Sequence, residues 1–122
     1  MSEQKPVTIV LLADTSTHEN EGRALHALLY AKQCHNAGLD TELIFDGGGV
    51  EWAAAFPSHE HFKAMYEELV TAGVIAGVCT FCAGAFGVAD ELAASKAVML
   101  DEDAGHPDIG KKIAAGRTVI TL

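Results

Sequence analysis

Val7-Thr8-Ile9-Val10-Leu11-Leu12, an almost unbroken run of β-branched and aliphatic side chains, decides the class of fold. A strand with one wet face alternates apolar and polar residues. A run apolar on both faces belongs to a strand covered on both sides, as strands of parallel sheets are. The run ends at Asp14 and helical spacing takes over. Ala24, Ala27, Leu28, Ala31 and Cys34 share one face and Gly38 supplies a stop, so a helix is expected over 21–37, with Ser16 and Glu19 as a capping box. Leu25 and Leu29 project on nearly the opposite side, which suggests burial once by the sheet and once by another subunit.

The alternation continues to the end of the chain. Strands are expected over 41–45, 74–79, 98–100 and 119–122. Helices are expected over 51–56, over 59–72 with Ser58 as cap, over 83–94, and over 107–116 with Pro107 in the first turn. Five strands joined by helical crossovers imply an α/β fold, a parallel five-stranded sheet with helices on both faces. No repeat or linker interrupts it, so residues 1–122 are read as a single domain. Ligands of such sheets collect beyond the carboxyl ends of the strands. That rule gathers the loops 14–23, 46–52, 79–86 and 102–107.

Composition removes several classes of function. The 122 residues are 49% hydrophobic, enough for a self-sufficient core. Seventeen acidic against eight basic residues leave a net charge of −9, which disfavours nucleic acid and anionic membrane surfaces. The start, Met1-Ser2-Glu3-Gln4-Lys5-Pro6, lacks the charged and apolar regions of a leader, and no apolar run has the ~18 residues of a bilayer span. A cytoplasmic protein is expected, and its three cysteines, an odd number, do not form a secreted disulfide framework.

Two of those cysteines form Cys79-Thr80-Phe81-Cys82, where a strand gives way to a helix. With the helix starting near 83, Cys82 is expected beside the first free N–H groups, a setting in which cysteine pKa values fall to roughly 3.5–7.5. Cys82 is therefore the candidate nucleophile and Cys79 its resolving partner; the alternative is a pair of small buried apolar residues. Cys34, among alanines, reads as core. His59 and His61 with Cys79 and Cys82 make four potential zinc ligands. On a helix, however, residues two apart diverge, and no second Cys-x-x-Cys exists, so no metal is expected. His106, before Pro107 in a strand-end loop, is an acid/base candidate, or else an exposed turn residue.

Gly47-Gly48-Gly49 permits close backbone approach to a ligand, and Trp52 beyond it can wall a pocket or pack in the core. Neither Gly-x-Gly-x-x-Gly nor Gly-Lys-Ser/Thr occurs, so no nucleotide cofactor is indicated. Asp14, Asp46 and Glu21 also lie in strand-end loops, where carboxylates commonly cap helices and turns. Asp14, Gly47, Gly48, Trp52 and His106 are thus the pocket candidates around the two cysteines.

Four segments together resemble the DsrE/DsrF-like sulfur-relay family. They are Gly22-Arg23-Ala24-Leu25-His26-Ala27-Leu28, Ile44-Phe45-Asp46-Gly47-Gly48-Gly49-Val50-Glu51-Trp52, Gly77-Val78-Cys79-Thr80-Phe81-Cys82-Ala83-Gly84-Ala85-Phe86-Gly87-Val88, and the tail from Gly105-His106-Pro107 to Thr121. The resemblance implies a three-layer α/β/α sandwich, a homo-oligomer (trimer or hexamer), and a persulfide-carrying cysteine in the loop where this chain has Cys82. The implied partners are a sulfur donor or acceptor protein, or a small persulfide. Cys79 is an addition that would move the chemistry towards dithiol exchange. Three functions follow as alternatives: a cytoplasmic sulfurtransferase or sulfur carrier, a thiol–disulfide redox protein using Cys79 and Cys82, and a non-catalytic oligomeric binding module.

Overall fold

A computed structural model describes residues 4–122. Residues 1–3, half of the stretch read above for a leader, lie outside the described residues. The apolar run beginning at Val7 lies in β1 (Pro6–Leu11), which shares a sheet with β2 (Asp40–Phe45), β3 (Ile75–Cys79), β4 (Met99–Leu100) and β5 (Thr118–Thr121). All pairings are parallel and the strand order is β4-β3-β2-β1-β5. Six α-helices connect the strands: α1 (His18–Asn36), α2 (Gly49–Ala55), α3 (Lys63–Thr71), α4 (Thr80–Ala85), α5 (Ala89–Ala94) and α6 (Ile109–Ala114). This is the α/β sandwich expected.

Period-two geometry sends alternate residues of each strand to opposite faces. Ile9, Leu11, Leu43, Phe45 and Val78 join Ala24, Ala27, Leu28 and Ala31 of α1 in one hydrophobic core. The intervening Thr8, Val10 and Ile44 are also buried but lie outside that core, on the second face. There Thr8 hydrogen-bonds Glu42, Lys112 of α6 lies 3.0 Å from Glu42, and Arg117 reaches Thr8 at 2.7 Å and Glu42 at 3.1 Å. These contacts lay α6 across the second face and neutralise its half-buried carboxylate. Leu25 and Leu29 are half-buried within the chain itself.

Several boundaries differ from expectation for local reasons. Ser16 turns its hydroxyl to Asp14 (2.6 Å), so the capping box does not form and Thr17 caps α1 by accepting the Asn20 N–H at 3.1 Å. Ser58 does not cap α3. His59 Nδ1 accepts the N–H groups of His61 and Phe62 at 3.1 and 3.3 Å and holds 59–62 as a turn, so α3 starts at Lys63. Asp108, not Pro107, begins α6, accepting the Lys111 N–H at 2.9 Å. The helix expected over 83–94 is two helices, divided where Gly87 takes φ +73°. None of the described helices is long and apolar enough to cross a membrane.

Candidate functional site

Register brings the first two groups together. Phe45 of β2 pairs with Val78 of β3, so the residues one step beyond, Asp46 and Cys79, leave the sheet side by side. Cys79 is both the last residue of β3 and the N-cap of α4, its sulfur accepting the Cys82 N–H at 3.5 Å. The helix therefore starts at Thr80, and Cys82 sits in its first turn rather than at its cap. Two of the first-turn donors of this earlier helix start are engaged away from the Cys82 sulfur: the Phe81 N–H goes to Gly105 O at 2.9 Å and the Cys82 N–H to Cys79. Cys82 Sγ instead faces Asp46 Oδ1 at 3.5 Å.

His106 arrives on a tight turn. Asp103 and His106 exchange backbone hydrogen bonds of 2.8 and 2.9 Å across Ala104 (φ +50°) and Gly105 (φ +90°), left-handed positions of the kind a primed turn needs. The turn is fastened to α4 by the Phe81–Gly105 bond, and the His106 ring rests 4.8 Å from the Phe81 ring. His106 Nδ1 then lies 3.3 Å from Cys79 Sγ. Donor atoms of Asp46, Cys79, Cys82 and His106 all fall within 4.8 Å of one another.

The two sulfurs differ. Cys79 is fully buried, and burial pushes its thiol up to about 12; the Asp46 carboxylate adds to the rise, while the Cys82 N–H opposes it. Cys79 is therefore a thiol at neutral pH, its S–H directed at Gly105 O (3.7 Å) or His106 Nδ1 (3.3 Å). Cys82 is only partly buried and reachable from solvent. The arrangement offers one accessible sulfur, one protected sulfur, a carboxylate at the first and an imidazole at the second.

The other candidates support this cluster from outside. Asp14 hydrogen-bonds Ser16 and Asn20, which hold its carboxyl below the usual range. Its carbonyl accepts the Trp52 Nε1–H at 3.0 Å, and Trp52 is buried, stacked on Phe56. A Cβ on Gly48 would come within 2.6 Å of Asp14 Cβ, and one on Gly49 within 1.8 Å of Leu11 O. Gly48 and Gly49 thus let the turn pass close to the end of β1, while Gly47 (φ +51°) gives its N–H to Asp46 Oδ1 at 2.9 Å. None of Asp14, Gly47, Gly48 and Trp52 supplies a donor atom to the cluster. His59 stacks on Phe62 with centroids 4.3 Å apart and is committed to its own turn. Cys34 packs against the core, as expected. Asp46 is the member that sequence reasoning set aside as a turn cap; only the neighbouring places of β2 and β3 reveal it. A separate cavity of ≈ 520 Å³, lined by Tyr66, Val70, Ile75 and Val98, opens at the other end of β3 and β4.

Comparison with known proteins agrees with this architecture. The family model for the DsrE/DsrF-like family matches residues 7–122. An uncharacterized protein of Methanocaldococcus jannaschii is 30% identical over 100 residues, covering 80% of this chain and 78% of its own. The solved structure of a conserved protein of unknown function from Bacteroides thetaiotaomicron superposes with a TM-score of 0.60 over 94% of both chains, at 16% identity, a likeness of fold.

Proposed function

We propose, because this chain belongs to the DsrE/DsrF-like family, that it is a sulfur carrier or sulfurtransferase holding its cargo as a persulfide on Cys82. The observation that carries the reading is the unequal cysteine pair, an accessible Cys82 within 4.8 Å of a buried, protonated Cys79. In the first step Cys82 gives its proton to Asp46, and the thiolate attacks the outer sulfur of a donor persulfide, R–S–SH. The donor's S–S bond breaks, R–S⁻ leaves and takes up a proton, and Cys82–S–SH remains.

Two exits follow. An acceptor thiolate takes the outer sulfur and restores Cys82. Alternatively Cys79, losing its proton to His106, attacks the Cys82 sulfur and expels HS⁻, which leaves a Cys79–Cys82 disulfide. In that branch the transferred sulfur is reduced to sulfide and the cysteine pair is oxidised, so an external dithiol resets the protein. Exposed Phe81 of α4, beside His106, and exposed Phe86 at the end of that helix support contact with a sulfur-carrying partner or another copy of the chain in a homo-oligomer.

Reduced protein incubated with a small persulfide and examined by intact-mass spectrometry is expected to gain one sulfur atom. The gain disappears in Cys82→Ser and persists in Cys79→Ser. No adduct on the wild-type chain would refute the relay. The same sulfur pair favours thiol–disulfide exchange as a second reading, in which mild oxidant removes two hydrogens and Cys82→Ser blocks the loss.

A further inference from the structure

The four side chains at the strand ends form a donor set as well as a sulfur site. We propose that Asp46, Cys79, Cys82 and His106 bind a borderline-soft transition-metal dication of the zinc class, one per chain. Two sulfurs, an imidazole and a carboxylate match the preferences of such ions and not those of magnesium or calcium, which take oxygen ligands.

The distances suit four-coordination. Zinc bonds of about 2.3 Å to sulfur and about 2.0–2.1 Å to nitrogen or oxygen place tetrahedral ligand atoms roughly 3.3–3.8 Å apart. His106 Nδ1 and Cys79 Sγ are already 3.3 Å apart, and Cys82 Sγ and Asp46 Oδ1 3.5 Å apart. The remaining donor pairs lie within 4.8 Å, so about 1 Å of side-chain movement closes the set. Backbone positions are held by bonds that need no metal: Asp46 N–H to Leu11 O (3.0 Å), Cys82 as part of α4, and His106 in its reciprocal turn with Asp103. Gly47 N–H to Asp46 Oδ1 and the Phe81 ring beside His106 provide surrounding support of the kind metal sites use.

Charge favours the same outcome. Among the described residues Asp46 has no ion-pair partner. Binding releases two thiol protons to solvent, and two thiolates plus one carboxylate around a dication leave one negative charge, with His106 bound as neutral imidazole. The expectation of no metal rested on the divergence of His59 and His61 and on the absence of a second Cys-x-x-Cys; this group contains neither histidine, and Asp46 and His106 stand where a second cysteine pair would. The proposal does not rest on persulfide chemistry; occupancy ties up both sulfurs, so metal and sulfur cargo exclude each other.

The test uses the reduced full chain, stripped with chelator under anaerobic conditions and titrated with Co²⁺ alone. One equivalent is expected to give thiolate-to-cobalt charge transfer and the strong visible bands of four-coordinate cobalt, both abolished by Zn²⁺. Cys82→Ser is expected to lose roughly half of the charge-transfer intensity. Cys82→Ser and His106→Gln are each expected to weaken binding at least ~10–100-fold, the loss seen even for outer partners of a metal. His59→Gln with His61→Gln leaves cobalt binding unchanged, since neither histidine belongs to the donor group. Saturating Co²⁺ also protects wild-type Cys82 from alkylation, a measurement that needs no variant to fold. Absence of charge transfer, unprotected Cys82, or affinity unchanged in folded Cys82→Ser and His106→Gln overturns the proposal, whatever the persulfide assay shows.

Discussion

Replacing Gly49 by alanine adds one methyl group where the β2–α2 turn crosses the end of β1. The new carbon stands 1.8 Å from Leu11 O and 2.6 Å from Leu11 C, and it must retreat to at least 3.0 Å, a movement of about 1.2 Å. Both obstacles are backbone atoms of β1, an interior strand of the sheet, so no side-chain rotation relieves the clash. Overpacking of this kind costs about 1–3 kcal/mol. Leu11 O is also the acceptor for the Asp46 N–H at 3.0 Å, and losing that bond adds about 0.5–1.5 kcal/mol. The expected loss is about 2–4 kcal/mol in urea unfolding, enough to consume much of a small domain's stability. Because Asp46 moves with the turn, alkylation of Cys82 should change in the folded variant too. Gly22→Ala is the control: it lies in α1 with nothing within 4 Å of the added carbon, and it should stabilise by about 0.5–1 kcal/mol. If Gly49→Ala unfolds at the same urea concentration as wild type, the account of the turn is wrong.

Two further outcomes follow from the cysteine cluster. Cys79, raised from an ordinary value near 9 to about 12, keeps its proton in the fold while the unfolded chain loses its own. Its contribution is complete below about pH 9 and is lost as pH rises through about 12, at about 1.4 kcal/mol per unit. In metal-free buffer, wild type should lose about 2 kcal/mol more than Cys79→Ala between pH 9 and 10.5; parallel pH slopes would refute this. Asp46→Asn, which removes the proton acceptor at Cys82, should slow persulfide loading about 10²-fold at pH 7. The deficit should shrink as alkali generates the thiolate directly, and stopped mixing with a persulfide donor across pH would expose a constant deficit as contradictory.

Much of the scaffold was legible because its signals are local. An apolar run on both strand faces marks β1, and the glycines that stop α1 and α3, Gly38 and Gly73, do take φ +82° and +75°. The errors arose where local signals competed. Ser16 had Asp14 as a nearer partner than the helix it was expected to cap, and His59 held its own turn. The start of α4 was misplaced by three residues because a cysteine is rarely a cap. Here the abrupt end of β3 leaves the Cys79 sulfur above the first free N–H groups.

By itself, then, the amino-acid sequence determined a parallel α/β domain, its family likeness, and a cysteine pair at a strand–helix junction. These rest on periodicity, composition and short motifs, which act over a few residues. The tertiary structure decided what surrounds that pair. Placing β2 and β4 on either side of β3 brings Asp46 across 36 residues to Cys82 and His106 across 27 residues to Cys79. It also buries one sulfur and leaves the other open. Strand order and burial are products of long-range packing, and no local pattern within the chain encodes them.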